Sequence, residues 1–136
     1  MTTGYSGTPL VKKLGIKSGQ RIIILNPPEG YESTLGVLPD GVEIATELTG
    51  IFDFIHFFTK ERGELNARFP ELKAALAMDG MLWVSWPKKA SKIPTDLDEN
   101  VIRNTGLANG LVDVKVAAID ERWSGLKFVY RVKDRK

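Results

Sequence analysis

The run Arg21-Ile22-Ile23-Ile24-Leu25-Asn26-Pro27-Pro28-Glu29-Gly30 constrains this chain more than any other segment. Consecutive large apolar residues closed at once by a turn read as a strand covered on both faces, the pattern of a parallel sheet between helices. In phosphate-binding α/β domains the turn after such a strand is rich in glycine, which lets backbone N–H groups close on the ligand. Here two prolines occupy the turn, and neither has an N–H to donate. The scaffold signal is strong, and the usual anion cradle is missing.

The rest of the chain extends the same alternation of elements. Ile51 to Phe58 is apolar apart from Asp53 and His56 and predicts a second central strand. Met81 to Trp86, entered through an Asp79-Gly80 turn and stopped by Pro87, predicts a third. Thr8, Pro9 and Gly15 have the residue types that cap, open and close a short helix. Tyr31 to Leu38 suggests another, ended by Pro39-Asp40-Gly41, and Val42 to Leu48 a strand. Leu65, Phe69, Leu72 and Leu76 share one helical face after a Thr59 cap, and Pro70 predicts a break into two short helices. Thr95-Asp96-Leu97-Asp98 resembles a capping box for a helix running to about Ala108. Val112 to Ile119 and Leu126 to Val132 then close the chain as a hairpin across Asp120 to Gly125.

Composition limits what such a scaffold can do. The 136 residues suit one α/β domain spanning 1–136. Nineteen basic against seventeen acidic residues leave a net charge of +2, too small by itself to imply nucleic acid or a membrane. Without cysteine there is no disulfide or thiolate chemistry, and the single histidine, His56, rules out a histidine-rich metal site within one chain. The N-terminus lacks a basic-then-apolar leader pattern and no apolar run approaches a membrane span, so a soluble cytoplasmic protein is expected. No G-x-S-x-G elbow, P-loop, EF-hand or zinc motif occurs.

The element order predicts a three-layer Rossmann-like α/β fold with a mostly parallel sheet and a C-terminal antiparallel hairpin. Phe52-Asp53-Phe54, the segment around Pro70, Gly80-Met81-Leu82-Trp83-Val84 and the closing hairpin resemble the back half of a class I methyltransferase. The front half departs from it. There is no G-x-G-x-G after the first strand, and only Glu47 stands near the end of the second, so the resemblance is to a truncated form. Gly4-Tyr5-Ser6-Gly7-Thr8-Pro9-Leu10, Lys13 to Lys17, Trp86-Pro87-Lys88-Lys89-Ala90-Ser91 and Trp123-Ser124-Gly125-Leu126 also resemble the signatures of a bacterial domain-of-unknown-function family. That resemblance implies the methyltransferase-like fold and brings no established activity or catalytic residues.

Ligands of open α/β sheets bind outside the carboxyl ends of the strands. Those ends gather Asn26, Glu29 and Gly30; Lys60 and Arg62; Trp86, Lys88, Lys89 and Ser91; and Trp123 in the hairpin. Lys60, Lys88 and Lys89 suggest a positive rim for an anion, helped by the helix expected to open at Thr95. Trp86 and Trp123 are candidates to stack on a ligand, against the commoner role of covering a core. Tyr5 and Tyr31 are weaker candidates for its walls. Glu29 is a candidate base or ribose-binding carboxylate, against a plain surface turn acid. His56, mid-strand among apolar residues, reads as a hydrogen-bonded core histidine, and Asp53 as a carboxylate needing a structural partner. The expected function is a non-catalytic module binding an anionic small molecule or a protein partner. The alternatives are an S-adenosylmethionine-dependent enzyme with an atypical cofactor loop, and single-stranded nucleic-acid binding through Lys88, Lys89, Trp86 and Trp123.

Overall fold

A computed structural model describes residues 9–135. The expected Thr8 cap, the Tyr5 wall and most of the first signature block lie outside them. The elements run α1 (Leu10–Leu14), β1 (Arg21–Leu25), α2 (Tyr31–Leu35), β2 (Glu43–Ala45), β3 (Phe52–Phe58), α3 (Arg62–Ala74), β4 (Leu76–Pro87), α4 (Glu99–Ala108), β5 (Leu111–Ala118) and β6 (Trp123–Tyr130). The six strands form one sheet in the order β2-β1-β3-β4-β6-β5. Pairing is parallel from β2 through β4, and β6 lies antiparallel to both β4 and β5. This is the expected mixed, mostly parallel Rossmann-like sheet with a C-terminal hairpin.

Strand alternation divides the core into two layers. Ile23, Ile55, Phe57, Leu82 and Val84 pack beneath α3 and α4, against Leu65, Phe69, Leu72 and Ile102. On the opposite face, Ile22, Phe54, Phe58 and Trp83 meet Leu10 and Leu14 of α1 and Tyr31 and Leu35 of α2. The Trp83 indole N–H donates to the carbonyl of Leu14 at 2.9 Å, which fastens α1 to the sheet. Asp53 finds the partner its position demands, accepting the backbone N–H of Arg21 at 2.8 Å.

Several local expectations fail for identifiable reasons. The segment around Pro70 is one helix, not two. Pro70 deprives the Asn66 carbonyl of a helical partner, but Leu65, Phe69 and Leu72 are fully buried on both sides of it and hold the helix together. Thr59 does not cap α3; Glu61 takes that position. Asp79-Gly80 is not a turn but the irregular start of β4, where Leu76 pairs with Phe52 and Met81 with Phe54. A Cβ on Gly80 would lie 2.9 Å from the Asp53 carbonyl oxygen, so glycine serves a close strand approach there. Likewise Trp123, Ser124 and Gly125 belong to β6, not to a hairpin loop. A Cβ on Gly125 would stand 2.9 Å from Ile119 Cδ1 and 3.1 Å from Trp83 Cε3.

Thr95 does not open α4 either. Its hydroxyl donates to the Lys60 carbonyl at 2.7 Å, and Asp98 caps the helix by accepting the Val101 N–H at 2.9 Å. The helix start expected at Thr95 therefore lies at Asp98 instead.

Candidate functional site

The chain leaves β1 for β2 on one side and returns to β3 on the other, so the strand order reverses between β1 and β3. Ligands of open α/β sheets bind at such a switch point, outside the strand ends. A cavity of about 830 Å³ opens there. The turn Asn26–Glu29 forms one wall, and Thr59, Lys60 and Glu64 follow β3. Ile93 and the hairpin turn Asp120–Arg122 complete the enclosure over Phe58 and Trp123.

The walls are fixed by hydrogen bonds between the strand ends. Asn26 adopts a left-handed backbone (φ 55°), which asparagine tolerates better than most residues. Its Nδ2 donates to the Phe58 carbonyl and to Glu64 Oε2, each at 3.2 Å, joining the end of β1 to the end of β3. Thr59 Oγ1 donates to the other Glu64 oxygen at 2.6 Å. Across the cavity, Asp120 Oδ1 accepts the N–H groups of Arg122 and Trp123 at 2.7 and 2.8 Å, which sets the hairpin turn. The Trp123 ring meets Phe58 edge-on at 5.2 Å.

Charge in this cavity differs from the expected positive rim. Its lining carries Glu29, Glu64, Asp120 and Glu121 against Lys60 and Arg122, four carboxylates to two cations. Glu64 and Asp120 are engaged as described. The side chains of Glu29, Glu121, Lys60 and Arg122 make no hydrogen bond or ion pair among the described residues.

Of the residues selected from sequence, Asn26, Glu29, Lys60 and Trp123 come together in the wall. Gly30 lies just behind it with φ 84°, turning the chain into α2. The block after β4 does not reach the cavity. Trp86 is a correction: strand alternation puts it with Leu82 and Val84 in the layer beneath α3 and α4, only 6% exposed. Lys88 spends its ammonium on the Asp120 carbonyl at 2.8 Å, bracing the hairpin from outside. Ser91 Oγ donates to the Lys88 carbonyl at 2.6 Å and accepts the Ile93 N–H, so it shapes its own turn. Lys89 is exposed on that turn, away from the lining. Sequence reasoning missed Phe58 and Glu64. Phe58 was legible as the last residue of a buried strand, and Glu64 only through the Thr59 bond that the fold creates.

Tyr31 walls a different space, a more apolar cavity of about 740 Å³ between α2 and the edge of the sheet. Its hydroxyl lies 2.7 Å from His56 Nδ1, and His56 Nε2 lies 2.7 Å from Ser85 Oγ. The histidine is therefore the hydrogen-bonded core residue expected from its place in the strand. Complete burial pushes its pKa down to about 3, so it stays neutral near pH 7. Burial raises the Tyr31 hydroxyl well above its ordinary range. Among the described residues no cluster of histidine and carboxylate side chains is arranged to hold a metal, and no helix is long and apolar enough to cross a membrane.

The fold has many solved counterparts. The DhpI–SAH complex aligns with TM-score 0.63 and 12% identity, over 91% of this chain and 83% of that one. Magnesium protoporphyrin IX methyltransferase (ChlM) from Synechocystis PCC 6803 with bound SAM gives 0.58 and 14%, over 90% and 74%. A SAM-dependent methyltransferase from Aquifex aeolicus gives 0.57 and 16%, over 88% and 86%. These likenesses establish a methyltransferase-type fold. No protein-family model and no curated protein matches the sequence, so the bacterial-family resemblance rests on its four blocks alone.

Proposed function

We propose that this chain is an S-adenosylmethionine-dependent methyltransferase that takes its cofactor in the cavity between the ends of β1 and β3. The observation that carries the reading is the coincidence of that cavity with the switch point of a methyltransferase-type sheet. When bound, S-adenosylmethionine supplies an electrophilic methyl group on a sulfonium.

The donor set suits such a molecule. It bears a sulfonium and an ammonium, and the lining offers four carboxylates, of which Glu29 and Glu121 are unspent. Lys60 and Arg122 are the cations available for its carboxylate. Pro27, Pro28 and Ile93 give apolar surface for its flat base. The Asn26–Glu64–Thr59 bonds tie this wall to the ends of β1 and β3. Two prolines remove two N–H donors from the turn, so side chains would do what a glycine loop does elsewhere. The reading as an anion module is weaker, because the same four carboxylates oppose a purely anionic ligand.

The test is affinity for S-adenosylmethionine measured by Trp fluorescence, with Glu29→Gln beside Lys89→Ala. Losing one charge-assisted contact costs about 1.5–3 kcal/mol, a roughly ten- to hundredfold weaker Kd for Glu29→Gln. Lys89→Ala should bind as wild type does. Equal affinity for Glu29→Gln and wild type, or loss only in Lys89→Ala, would move the ligand away from this cavity.

A further inference from the structure

The small net charge conceals a separation of charge. While the cavity lining is acidic, lysines collect on the same sheet face beside α1. Lys115 of β5 and Lys127 of β6 stand directly opposite each other in the antiparallel register. Side chains so paired start within about 5.5 Å of each other at Cβ, and like charges there repel. Lys115 Nζ donates to the Lys13 carbonyl at 3.2 Å, which brings the pair against the end of α1. Lys13 Nζ in turn donates to the Ala118 carbonyl at 3.0 Å. Lys17 follows just after the Gly15 that closes α1. Partial burial lowers the pKa of Lys127, and Lys115 and then Lys17 lower it further. All four ion pairs among the described residues are made by arginines, so Lys17, Lys115 and Lys127 have no carboxylate partner there.

We propose that Lys17, Lys115 and Lys127 form a docking surface for the phosphate backbone of a single-stranded nucleic acid. Uncompensated like charges held close together are relieved by a polyanion that releases its counterions on binding. A lipid surface fits less well, because Leu10 and Leu14 of α1 point inward at 7% and 0% exposure and leave no apolar face to enter a bilayer. An acidic protein would want an apolar centre to its interface, but Trp83 and Ala117 on this face are buried at 0% and 9%. The surface also leads somewhere. Lys13 reaches Ala118, and the chain passes from there through Ile119 to Asp120 in the cavity wall. A strand held on the lysines would run toward the cavity, and only an unpaired base could enter it. The sequence suggested such binding at Lys88 and Lys89; the uncompensated charge lies instead midway along the hairpin, where Lys115 pairs with Lys127.

The experiment is fluorescence anisotropy with a labelled, mixed-sequence RNA of about 16 nucleotides. Salt is varied between about 50 and 200 mM, for the whole chain and for Lys115→Gln with Lys127→Gln. Three phosphate contacts give a slope of log K against log salt near about −2, and the double variant should retain about −0.7. Its melting temperature should hold or rise, since the repelling pair is gone. Lys17→Gln alone should flatten the slope by about 0.7 and gives an independent check. A wild-type slope flatter than about −0.7, or an unchanged slope in both variants, overturns the proposal. So does tighter binding to phosphatidylserine vesicles than to the RNA. Because the site is separate from the cavity, S-adenosylmethionine affinity should be the same in all three proteins, and its absence would leave the RNA result intact.

Discussion

Lowering the pH should destabilise this protein through one residue. His56 is the only histidine in the chain. In the unfolded chain its pKa is about 6.5; in the fold, burial between Tyr31 and Ser85 holds it at about 3. The folded value is the lower one, so below about pH 6.5 the unfolded state binds a proton that the native state refuses. The stability this group allows is fully present above that pH and is lost progressively as pH falls toward 3. Integrated from pH 7 to pH 5, the loss is about 2 kcal/mol. For a chain of this size that is a fall in melting temperature of very roughly 8 °C. Most carboxylates titrate below this window, so histidine dominates it. Urea denaturation at pH 7, 6 and 5 measures the loss, and the His56 ring signal in NMR reports the native protonation state. A flat stability over that range, or a native ring titrating near 6.5, would refute the argument from burial.

Two further predictions concern packing and capping. Gly106 of α4 lies so close to β6 that a Cβ would sit 2.0 Å from Phe128 Cε1. Gly106→Ala should lower stability in urea denaturation, because overpacking of about 1–3 kcal/mol exceeds the gain of about 1 kcal/mol in helix propensity; a more stable variant would contradict the close approach. Asp98→Ala should cost about 1 kcal/mol by freeing the Val101 N–H, and an unchanged denaturation midpoint would mean the cap is not formed in solution.

The sheet was legible because its central strands are apolar on both faces. Ile22 to Leu25 and Phe52 to Phe58 need no tertiary information to be read as strands. What escaped was whatever depends on a neighbour in space. Pro70 breaks helices in isolation, yet α3 continues through it because fully buried residues flank it. Asp79-Gly80 and Ser124-Gly125 carry turn chemistry, but their glycines serve close approaches inside strands. The site divided along the same line. The place of Asn26, Glu29 and Lys60 in the cavity wall follows directly from the strand ends. Trp86 and Trp123 differ only in which face of the sheet they take and how far each strand runs. A strand start misplaced at Leu126 obscured that for Trp123, and Lys88 was lost to a carbonyl brought near only by the hairpin.

The most direct test of the central claim is NMR of the nitrogen-15-labelled chain titrated with S-adenosylhomocysteine, the demethylated product. The account predicts saturable shifts concentrated at Asn26, Glu29, Lys60 and Trp123, with Lys89 and Ser91 unmoved. No shift at millimolar ligand, or shifts centred on the turn after β4, would contradict it.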